Sequence, residues 1–523
     1  MIHSESPTEP TRDAETAAPA PDGGDPAAGL SLQILESVQT VLTALMLAFM
    51  LRAFFIEAFI IPTGSMAQGL LGQHGVQVCP RCGWEFDYGP GLDQGNDPRF
   101  DGFIPPSEIF CPNCHARLPL NADQVSVRSG DRILVHKWPY VLGGWFGPRR
   151  WDVIVFRDPA DPEQNFIKRL VALPDETIEI IDGDVFIKNP GSTEFHIARK
   201  TNAAQSRLWS IVFDQNYPPT DAATTAHSPA WIETLAPGTL GGWSGLHTRL
   251  IRHDAGDSQA HTLRFDPDGS RYYLQDVSAY NHGSGGNYVG DVRIVTEYTP
   301  EAGVGWFEMT ITRDGRRFTA RLNVGGSHTL TMLAPGDEVP AVLAKSQDLP
   351  LDPDRPHTLE FAHLDYRVFL KLDGREVLAT TDAQYSPDVE TLRHSRRISP
   401  LEIELVASGI SCTLRNLRVD RDVYYAFNRT NTLRAYAGHP FTLGSSEYFV
   451  LGDNSSNSHD SREWYMVGPH LEDEFHADRY QVGTVPAGQI VGRAFFVYLP
   501  SLMPLDEQGR WRIPDLGRAR FIR

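Results

Sequence analysis

The chain has 523 residues, of which 22% are charged, and its formal net charge at pH 7 is −19. This acidic balance argues against general nucleic-acid binding, which needs a basic face. Five cysteines in so long a chain are too few for a disulfide-stapled scaffold. The length allows two or more folded domains.

The N-terminal region divides into a polar part and an apolar part. Residues 1–33 are predicted to form a disordered acidic tail, because they are rich in Pro, Ala, Asp, Glu and Gly and show no apolar periodicity. Residues 34–57 are predicted to be a transmembrane anchor, since Val38 to Leu51 carry no charge and Arg52 can reach an interface. A buried core helix and a cleavable signal peptide are the alternatives. A signal peptide would need a basic n-region, which the acidic tail does not supply.

The rest of the chain is predicted to be mainly β. Short apolar or β-branched runs are separated by Gly, Asp and Pro, as strands are. These runs are Arg132–Val135, Val153–Phe156, Thr177–Ile181 and Val185–Ile187. Trp306–Thr312 alternates apolar and polar residues, which indicates a half-buried strand. Asp373 and Gly374 are predicted to make a hairpin turn between two such runs.

Ser65 and Lys168 are each unremarkable alone. Ser65 lies in the segment IPTGSM after the apolar stretch, and most serines in Gly-containing turns are turn formers. Lys168 lies in the strand-like run NFIKRLVALP. Its stem could cover the core while its amine reaches water. Alternatively, burial lowers its pKa, and the neutral amine takes the proton of a serine hydroxyl. Ser–Lys pairing is a known variant of the serine nucleophile.

Five segments occur in an order that is typical of one family. They are the apolar stretch with IPTGSM (Ile61–Met66), GDRILVHK (Gly130–Lys137), RRWDVIVFRDP (Arg149–Pro159) with NFIKRLVALP (Asn165–Pro174), GDNSSNSHDSR (Gly452–Arg462) and VPAGQIVGRAFFVYLP (Val485–Pro500). Together they resemble bacterial type I signal peptidases, the S26 family of Ser/Lys proteases. The resemblance implies a β catalytic core formed by residues 58–78, 120–190 and 431–505, after one N-terminal transmembrane helix.

The resemblance also implies roles for individual residues. Ser65 would attack the scissile carbonyl, and Lys168 would act as general base and later as general acid. The backbone N–H of Ser65 and the hydroxyl of Thr63 would form the oxyanion hole. Ser458 would hydrogen-bond and orient the lysine, and Met66 would line the substrate pocket.

Residues 452–462, hereafter the polar loop, carry three more matching positions. They are Asp453, Asp460 and Arg462. The resemblance implies that they hold the loop together and take no part in the chemistry.

The function implied by the resemblance is a membrane-bound endopeptidase that removes N-terminal signal peptides from exported preproteins without a catalytic cofactor. It implies an inner-membrane protein whose body faces the periplasm, with signal peptides and the lipid bilayer as partners and no nucleic acid. A non-catalytic membrane scaffold built on a relic core is one alternative, against which the intact Ser65, Lys168, Thr63 and Ser458 argue. A self-cleaving repressor is another, and the adjacent apolar segment argues against it.

Residues 79–119, hereafter the ribbon, are predicted to be an insertion with a structural zinc ion. Its ends read CPRC and CPNC, which place Cys79, Cys82, Cys111 and Cys114 in two knuckles. Each knuckle can present two thiolates to one tetrahedral ion. The alternative is two disulfides or redox-active pairs, which an oxidising compartment would encourage.

Residues 191–430, hereafter the insertion, are predicted to form a β-sandwich. Its stretches His357–Leu378 and Gly409–Tyr425 resemble strands of laminin-G or concanavalin-like jelly rolls. A module that binds a carbohydrate or a peptide and an inserted spacer both stay open. Cys412 is predicted to be a buried small hydrophobe. Residues 506–523 are predicted to be a C-terminal tail.

Overall fold

The computed structural model describes most of the chain. The described residues are 26–90, 106–120, 127–219, 230–235, 241–255, 258–266, 274–277, 279–281, 284–347, 349–394, 401–428, 431–504 and 512–522. They divide into two compact units, one that ends at Phe55 and one that begins at Ile56. Most of the predicted acidic tail and the middle of the ribbon lie outside the described residues.

The first unit contains helix α1 (Pro26–Phe54), which has 29 residues. Proline suits the first helical position, where its missing N–H is not needed, and the Ala, Leu and Met residues that follow favour a helix. The helix includes residues 26–33, which were predicted to belong to the tail, and it ends before residues 56–57, which were predicted to belong to the anchor. Among the described residues, we find no helix with both the length and the apolar character needed to cross a membrane.

The second unit begins with the strands of the ribbon and of the body, by which we mean residues 56–78, 127–200 and 431–522. They are β1 (Ile56–Ile60), β2 (His74–Val78), β3 (Glu85–Tyr88), β4 (Glu108–Phe110), β5 (Arg117–Pro119), β6 (Val127–Arg128), β7 (Arg132–His136), β8 (Val153–Arg157), β9 (Asn165–Ala172), β10 (Thr177–Ile181), β11 (Asp184–Lys188) and β12 (His196–Ile197). The four strand predictions between residues 132 and 187 are therefore confirmed. Helix α2 (Trp138–Leu142) and a 3-10 turn (Gly144–Phe146) follow β7.

The insertion contributes the longest strands. They are β13 (Ser210–Asp214), β14 (Trp231–Thr234), β15 (Trp243–Ser244), β16 (Leu250–His253), β17 (Ala260–Phe265), β18 (Gln275–Val277), β19 (Ser284–Tyr288), β20 (Val292–Arg313), β21 (Arg316–Asn323), β22 (His328–Leu333), β23 (Ala341–Ser346), β24 (His357–Leu364), β25 (Arg367–Leu372), β26 (Arg375–Ala379) and β27 (Glu402–Arg421). Helices α3 (Asn202–Leu208) and α4 (Val389–His394) and a 3-10 turn (Ala279–Asn281) complete it.

The insertion folds around two long antiparallel strands. β20 and β27 pair along most of their length, with three irregularities in register. The first part of β20 also pairs with β24, and its last part pairs with β21, so the same strand serves two halves of a sandwich. Side chains from both halves, including Phe318 and Phe361, lie in one core with Cys412, which is fully buried as predicted.

The predicted hairpin within the insertion is confirmed. Asp373 and Gly374 connect β25 to β26, with φ of 50° and 78°. Two successive residues with positive φ make the type I′ turn whose twist matches an antiparallel pair, and Asp-Gly is a preferred sequence for it.

The body continues after the insertion with the last strands. They are β28 (Phe441–Thr442), β29 (Glu447–Leu451), β30 (Val485–Pro486), β31 (Ile490–Leu499), β32 (Leu502–Pro504), β33 (Arg512–Pro514) and β34 (Arg520–Phe521). Helix α5 (Glu472–His476) and four 3-10 turns (Ser455–Asn457, Pro469–Leu471, Ala487–Gln489 and Leu516–Arg518) lie between or after them.

Most strands of this body lie in two sheets, while β2 and β6 form a smaller one with β3 of the ribbon, and β32 pairs with β33. One has the strand order β1-β7-β31-β8-β9-β29-β30, with β34 added to β31, and the other has the order β12-β11-β10-β28. β9 therefore lies next to β29, and the polar loop follows β29 directly. This order brings the strand with Lys168 and the polar loop to the same end of the sheet.

The last described residues contact the sheet and the segment after Ser65. β34 pairs with β31, and the Arg520 guanidinium donates hydrogen bonds to Gly69 O at 2.7 Å and to the Asp131 carboxylate at 2.9 Å. Asp131 also accepts a hydrogen bond from the Leu71 N–H. The end of the chain therefore holds the segment that follows Ser65.

Candidate active site

Ser65 and Lys168 lie in direct contact. Lys168 is in β9, opposite Ile154 of β8, and its Nζ lies 2.7 Å from Ser65 Oγ. Lys168 is 5% exposed and Ser65 is 7% exposed. The contact joins two positions that are 103 residues apart in the sequence.

Burial changes the acidity of the lysine. Desolvation lowers the pKa of Lys168 from 10.5 to about 8, although the carboxylates of Asp460 and Asp453 act in the opposite direction. About one such amine in ten is neutral at pH 7, compared with about one in 3,000 at the ordinary value. The amine can therefore accept a proton from the serine hydroxyl at neutral pH.

Asn454 of the polar loop fixes the backbone at the serine. Its N–H donates to Ser65 O at 3.0 Å, and its Nδ2 donates to Gly64 O at 3.1 Å. Sequence reasoning missed Asn454, although it lies in a matched segment between Asp453 and Ser458. We call residues 64–72, which begin with these two carbonyl groups, the nucleophile turn.

A buried ion pair joins β9 to the polar loop. The Arg169 guanidinium donates to both carboxylate oxygens of Asp453, each at 2.7 Å, and to Trp151 O at 2.7 Å. Because Arg169 follows Lys168 in β9, this pair fixes the loop relative to the lysine. Sequence reasoning missed Arg169. The only available signal was a second basic residue in the same apolar run.

A second buried ion pair lies within the polar loop. Arg462 donates to both oxygens of Asp460, at 2.9 and 2.8 Å, and also to Ala426 O at 2.7 Å. Asp460 accepts a further hydrogen bond from the Gly452 N–H at 3.0 Å. Asp460 thus links the first residue of the loop, Gly452, to the last, Arg462.

Three further predicted site residues, Thr63, Met66 and Ser458, differ in their burial. The Thr63 side chain is exposed, and Met66 is fully buried in the apolar core beneath the turn. Ser458 is buried next to Gly452, but among the described residues its hydroxyl has no hydrogen-bond partner. The structure therefore does not join Ser458 to Lys168 by the hydrogen bond that the resemblance implies.

A cavity of about 450 Å³ lies beside the nucleophile turn. Its walls come from the turn, the ribbon, the insertion and the polar loop. They include Gln68, Trp84, Phe110, Trp209, Tyr280 and Asn454. Its volume falls within the range of small-ligand sites, and its aromatic walls suit an apolar group.

The four cysteines of the ribbon lie together. Their sulfur atoms are all within 4.8 Å of one another, and the Cys79–Cys114 and Cys82–Cys111 sulfur pairs are each separated by 3.6 Å. Four sulfurs around a tetrahedral zinc ion are about 3.8 Å apart, whereas a disulfide bond is about 2.05 Å long. The residues therefore fit a shared metal ion and are not placed as disulfides.

The ribbon is also fastened to the insertion. Asn113 accepts a hydrogen bond from the Asp214 N–H at 2.7 Å and donates one to Tyr217 O at 2.9 Å. The Tyr217 ring packs edge-on against Trp84. The second knuckle therefore connects two segments that were predicted as separate insertions.

Two segments of the chain match a protein-family model. Residues 116–230 and 414–499 match the family model described as signal peptidase, peptidase S26. These segments are similar to peptidase S26. The match supports a peptidase of the signal peptidase kind, and it contains Lys168 and the polar loop but not Ser65.

Three signal peptidase I proteins show the same similarity. The protein of Pseudomonas fluorescens is 27% identical over 174 residues, which cover 33% of this chain and 44% of that protein. The protein of Pseudomonas aeruginosa is 38% identical over 71 residues, with 12% and 25% covered. The protein of Rickettsia bellii is 24% identical over 151 residues, with 29% and 38% covered. The chain thus spans less than half the length of these relatives.

Solved structures that resemble parts of this chain have low TM-scores against it. A carbohydrate-binding module of Bacillus subtilis has a TM-score of 0.24 and 12% identity, covering 36% of this chain and 95% of that one. The catalytic domain of an endo-1,3-beta-glucanase of Thermotoga petrophila has a TM-score of 0.26 and 11% identity, covering 41% and 98%.

Proposed function

We propose that this chain is a membrane-bound signal peptidase I, an endopeptidase that cleaves N-terminal signal peptides from exported preproteins with a Ser65–Lys168 dyad. The observation that carries the proposal is the 2.7 Å separation of Lys168 Nζ and Ser65 Oγ. The similarity of the flanking segments to peptidase S26 supports the reaction class.

The chemistry follows from the two side chains. The Ser65 hydroxyl gives its proton to the neutral Lys168 amine while its oxygen attacks the scissile carbonyl carbon. The resulting ammonium then gives that proton to the leaving amine, and an ester with Ser65 remains. Lys168 next takes a proton from a water molecule, whose oxygen attacks the ester carbonyl. The bond to Ser65 Oγ then breaks, the Lys168 ammonium returns the proton to that oxygen, and the acid product leaves. No metal or organic cofactor takes part in these steps.

A negatively charged oxygen develops during both attacks. The backbone N–H of Ser65 has no acceptor among the described residues, and it is therefore free to donate to that oxygen. The exposed Thr63 hydroxyl would supply the second donor once substrate is bound. Losing one such donor typically slows a reaction by about 10²–10³-fold.

The test is the processing of a purified preprotein by detergent-solubilised protein. Ser65→Ala and Lys168→Ala should each abolish cleavage at the signal-peptide junction. Ser206→Ala and Lys137→Ala serve as matched controls, because the side chains of these residues bond to Ala203 O and to Glu57. Both variants should cleave at the normal rate. Equal processing by all variants would reject the dyad. If the unaltered protein did not process the preprotein, the alternative of a non-catalytic membrane scaffold would be favoured.

Attachment to a membrane is part of the proposal. Apolar side chains of α1, including Leu45, Met46 and Phe49, are exposed, and burying them in lipid would be favourable. Replacing these three with Lys should release the protein from membranes in alkaline carbonate. Protease added to spheroplasts should cleave the body if it faces the outside. Protection of the body would contradict the proposed orientation.

We further propose that the ribbon holds one zinc ion through its four thiolates. The role is structural, because four protein ligands leave no open position for a substrate. Metal analysis of the purified protein should find about one zinc per chain. Disulfides at all four positions would reject the assignment.

A further inference from the structure

A short segment of the insertion lies directly on the nucleophile turn. Tyr280 is 4% exposed, and its ring faces Gly64, the residue before Ser65. A Cβ atom placed on Gly64 would lie 2.1 Å from Tyr280 Cε2, far inside van der Waals contact. Glycine at position 64 is thus required by the close approach of this ring.

The same tyrosine reaches the other end of the turn. Its hydroxyl oxygen accepts a hydrogen bond from the Gly72 N–H at 2.9 Å. Between these two points, its ring packs against Ala67 and Leu71 in a small apolar cluster. One side chain therefore contacts the first, middle and last parts of the nucleophile turn.

A second route from the insertion passes through the polar loop. The Ala279 N–H donates to Asn454 Oδ1 at 3.0 Å. This bond orients the Asn454 amide so that its Nδ2 faces Gly64 O, while the Asn454 N–H donates to Ser65 O. Adjacent residues of the insertion thus act on the backbone at Ser65 from two sides.

The backbone at Tyr280 is unusual. Its φ is 66°, in the left-handed region that residues other than glycine seldom adopt. Such a conformation costs about 1–3 kcal/mol and persists where surrounding contacts determine it. The contacts of its ring with Gly64 and of its hydroxyl with Gly72 are among those that hold this conformation.

We propose that Tyr280 and Ala279 are positioning residues of the active site, and that the insertion fixes the nucleophile turn so that Ser65 Oγ stays in line with Lys168. The insertion would then be part of the catalytic apparatus and more than a spacer. The catalytic consequence rests on the proposed function. The immobilisation of the turn does not.

Hydrogen exchange of the amides of residues 64–72 in the full chain tests the immobilisation. Tyr280→Ala should speed their exchange at least about tenfold, because the ring and the Gly72 acceptor are both lost. Tyr280→Phe should speed mainly the Gly72 amide. Tyr385→Ala and Tyr385→Phe are matched controls, because Tyr385 is also a buried tyrosine of the insertion but bonds to His363. If Tyr280→Ala and Tyr385→Ala accelerated amide exchange of residues 64–72 equally, the inference would be overturned.

A double-mutant cycle tests the contact itself. Gly64→Ala alone should loosen the turn, because the new methyl group collides with the ring. Combined with Tyr280→Ala, it should add little, because the ring that it strikes is gone. Strictly additive effects would show that the ring does not lie on Gly64 in solution.

Kinetics tests the catalytic consequence. Tyr280→Ala should lower kcat by about 10²-fold while KM changes less than about threefold, since misplacing a reacting atom by about 1 Å has such an effect. The pH midpoint should not move, because Lys168 is untouched. A rise in kcat would overturn the proposal and show that Ala279 and Tyr280 obstruct the active site. Faster exchange in a chain that cleaves no preprotein would support the turn contact and reject only the proposed function.

Discussion

The Arg169 guanidinium and the Asp453 carboxylate form a buried pair with two parallel hydrogen bonds of 2.7 Å. Arg169 lies next to the candidate base in β9, and Asp453 lies next to Asn454, which holds the backbone at Ser65. The pair therefore sets the distance between the two halves of the dyad.

Arg169→Ala should lower the free energy of unfolding by about 3–5 kcal/mol, because it leaves the Asp453 charge buried without a partner. Denaturant unfolding monitored by fluorescence would measure this change. Arg355→Ala is the matched control. Its pair with Asp352 is 62% and 60% exposed, so its loss should change stability by less than about 1 kcal/mol. Similar losses in both variants would contradict the importance of the buried pair.

Cleavage should become faster as the pH rises through about 8. The lowered pKa of Lys168 means that its amine becomes neutral, and able to act as a base, over this range. A pH profile of kcat/KM between pH 6 and 9.5 would show the midpoint. A rate that fell over this range would exclude Lys168 as the base.

Asp158→Asn should move that midpoint to lower pH. The Asp158 carboxylate is one of the charges that raise the pKa of Lys168, and its removal favours the neutral amine. Asparagine can still accept the hydrogen bond from the Ala160 N–H. Asp161→Asn is the control, because Asp161 is not among the principal charges that act on the lysine. A shift to higher pH would contradict the electrostatic account.

Lys168→Met should stabilise the folded protein at pH 7 by as much as about 3 kcal/mol, because a buried group whose pKa falls from 10.5 to about 8 opposes folding by that amount. The sign follows from proton binding: between these two values the unfolded chain holds more protons. The unfavourable effect is complete below pH 8 and disappears as the pH rises past 10.5. Chemical denaturation at pH 7 and pH 10.5 would measure it. Equal stability of the two proteins at pH 7 would contradict the burial of a charged amine.

Chelation should expose four thiols and leave the fifth protected. Removing the metal frees the ribbon cysteines for reaction with a thiol reagent, whereas Cys412 stays in the apolar core of the insertion. Counting modified cysteines by mass before and after chelation measures this. If Cys412 reacted together with the other four, the insertion would depend on the ribbon for its fold. If the four reacted equally well before chelation, the zinc assignment would fail.

Local sequence features predicted a large part of the architecture. Runs of β-branched residues predicted β7 to β11, and Asp373-Gly374 predicted a hairpin, because these depend on near neighbours. Within the predicted C-terminal tail, Arg520 and Phe521 form β34, which pairs with β31. Nothing local in the tail sequence signals a partner that lies more than twenty residues earlier.

Residues of the candidate site could be predicted only where they lie in sequence segments that resemble a known family. Ser65, Lys168 and the polar loop stand in recognisable segments. Tyr280 does not, because its partners Gly64 and Gly72 lie more than two hundred residues earlier, and its sequence surroundings are ordinary polar turn residues. Contacts of this kind depend on how whole domains dock, which composition and periodicity do not report.

The bond between Arg520 and Gly69 O spans 451 residues of sequence. Contacts with such separations form late, because the intervening chain must first become ordered. During synthesis, the stretch after Ser65 would gain this contact only after Arg520 had left the ribosome. A chain shortened before Arg520 would therefore lack this contact and hold the stretch after Ser65 less firmly.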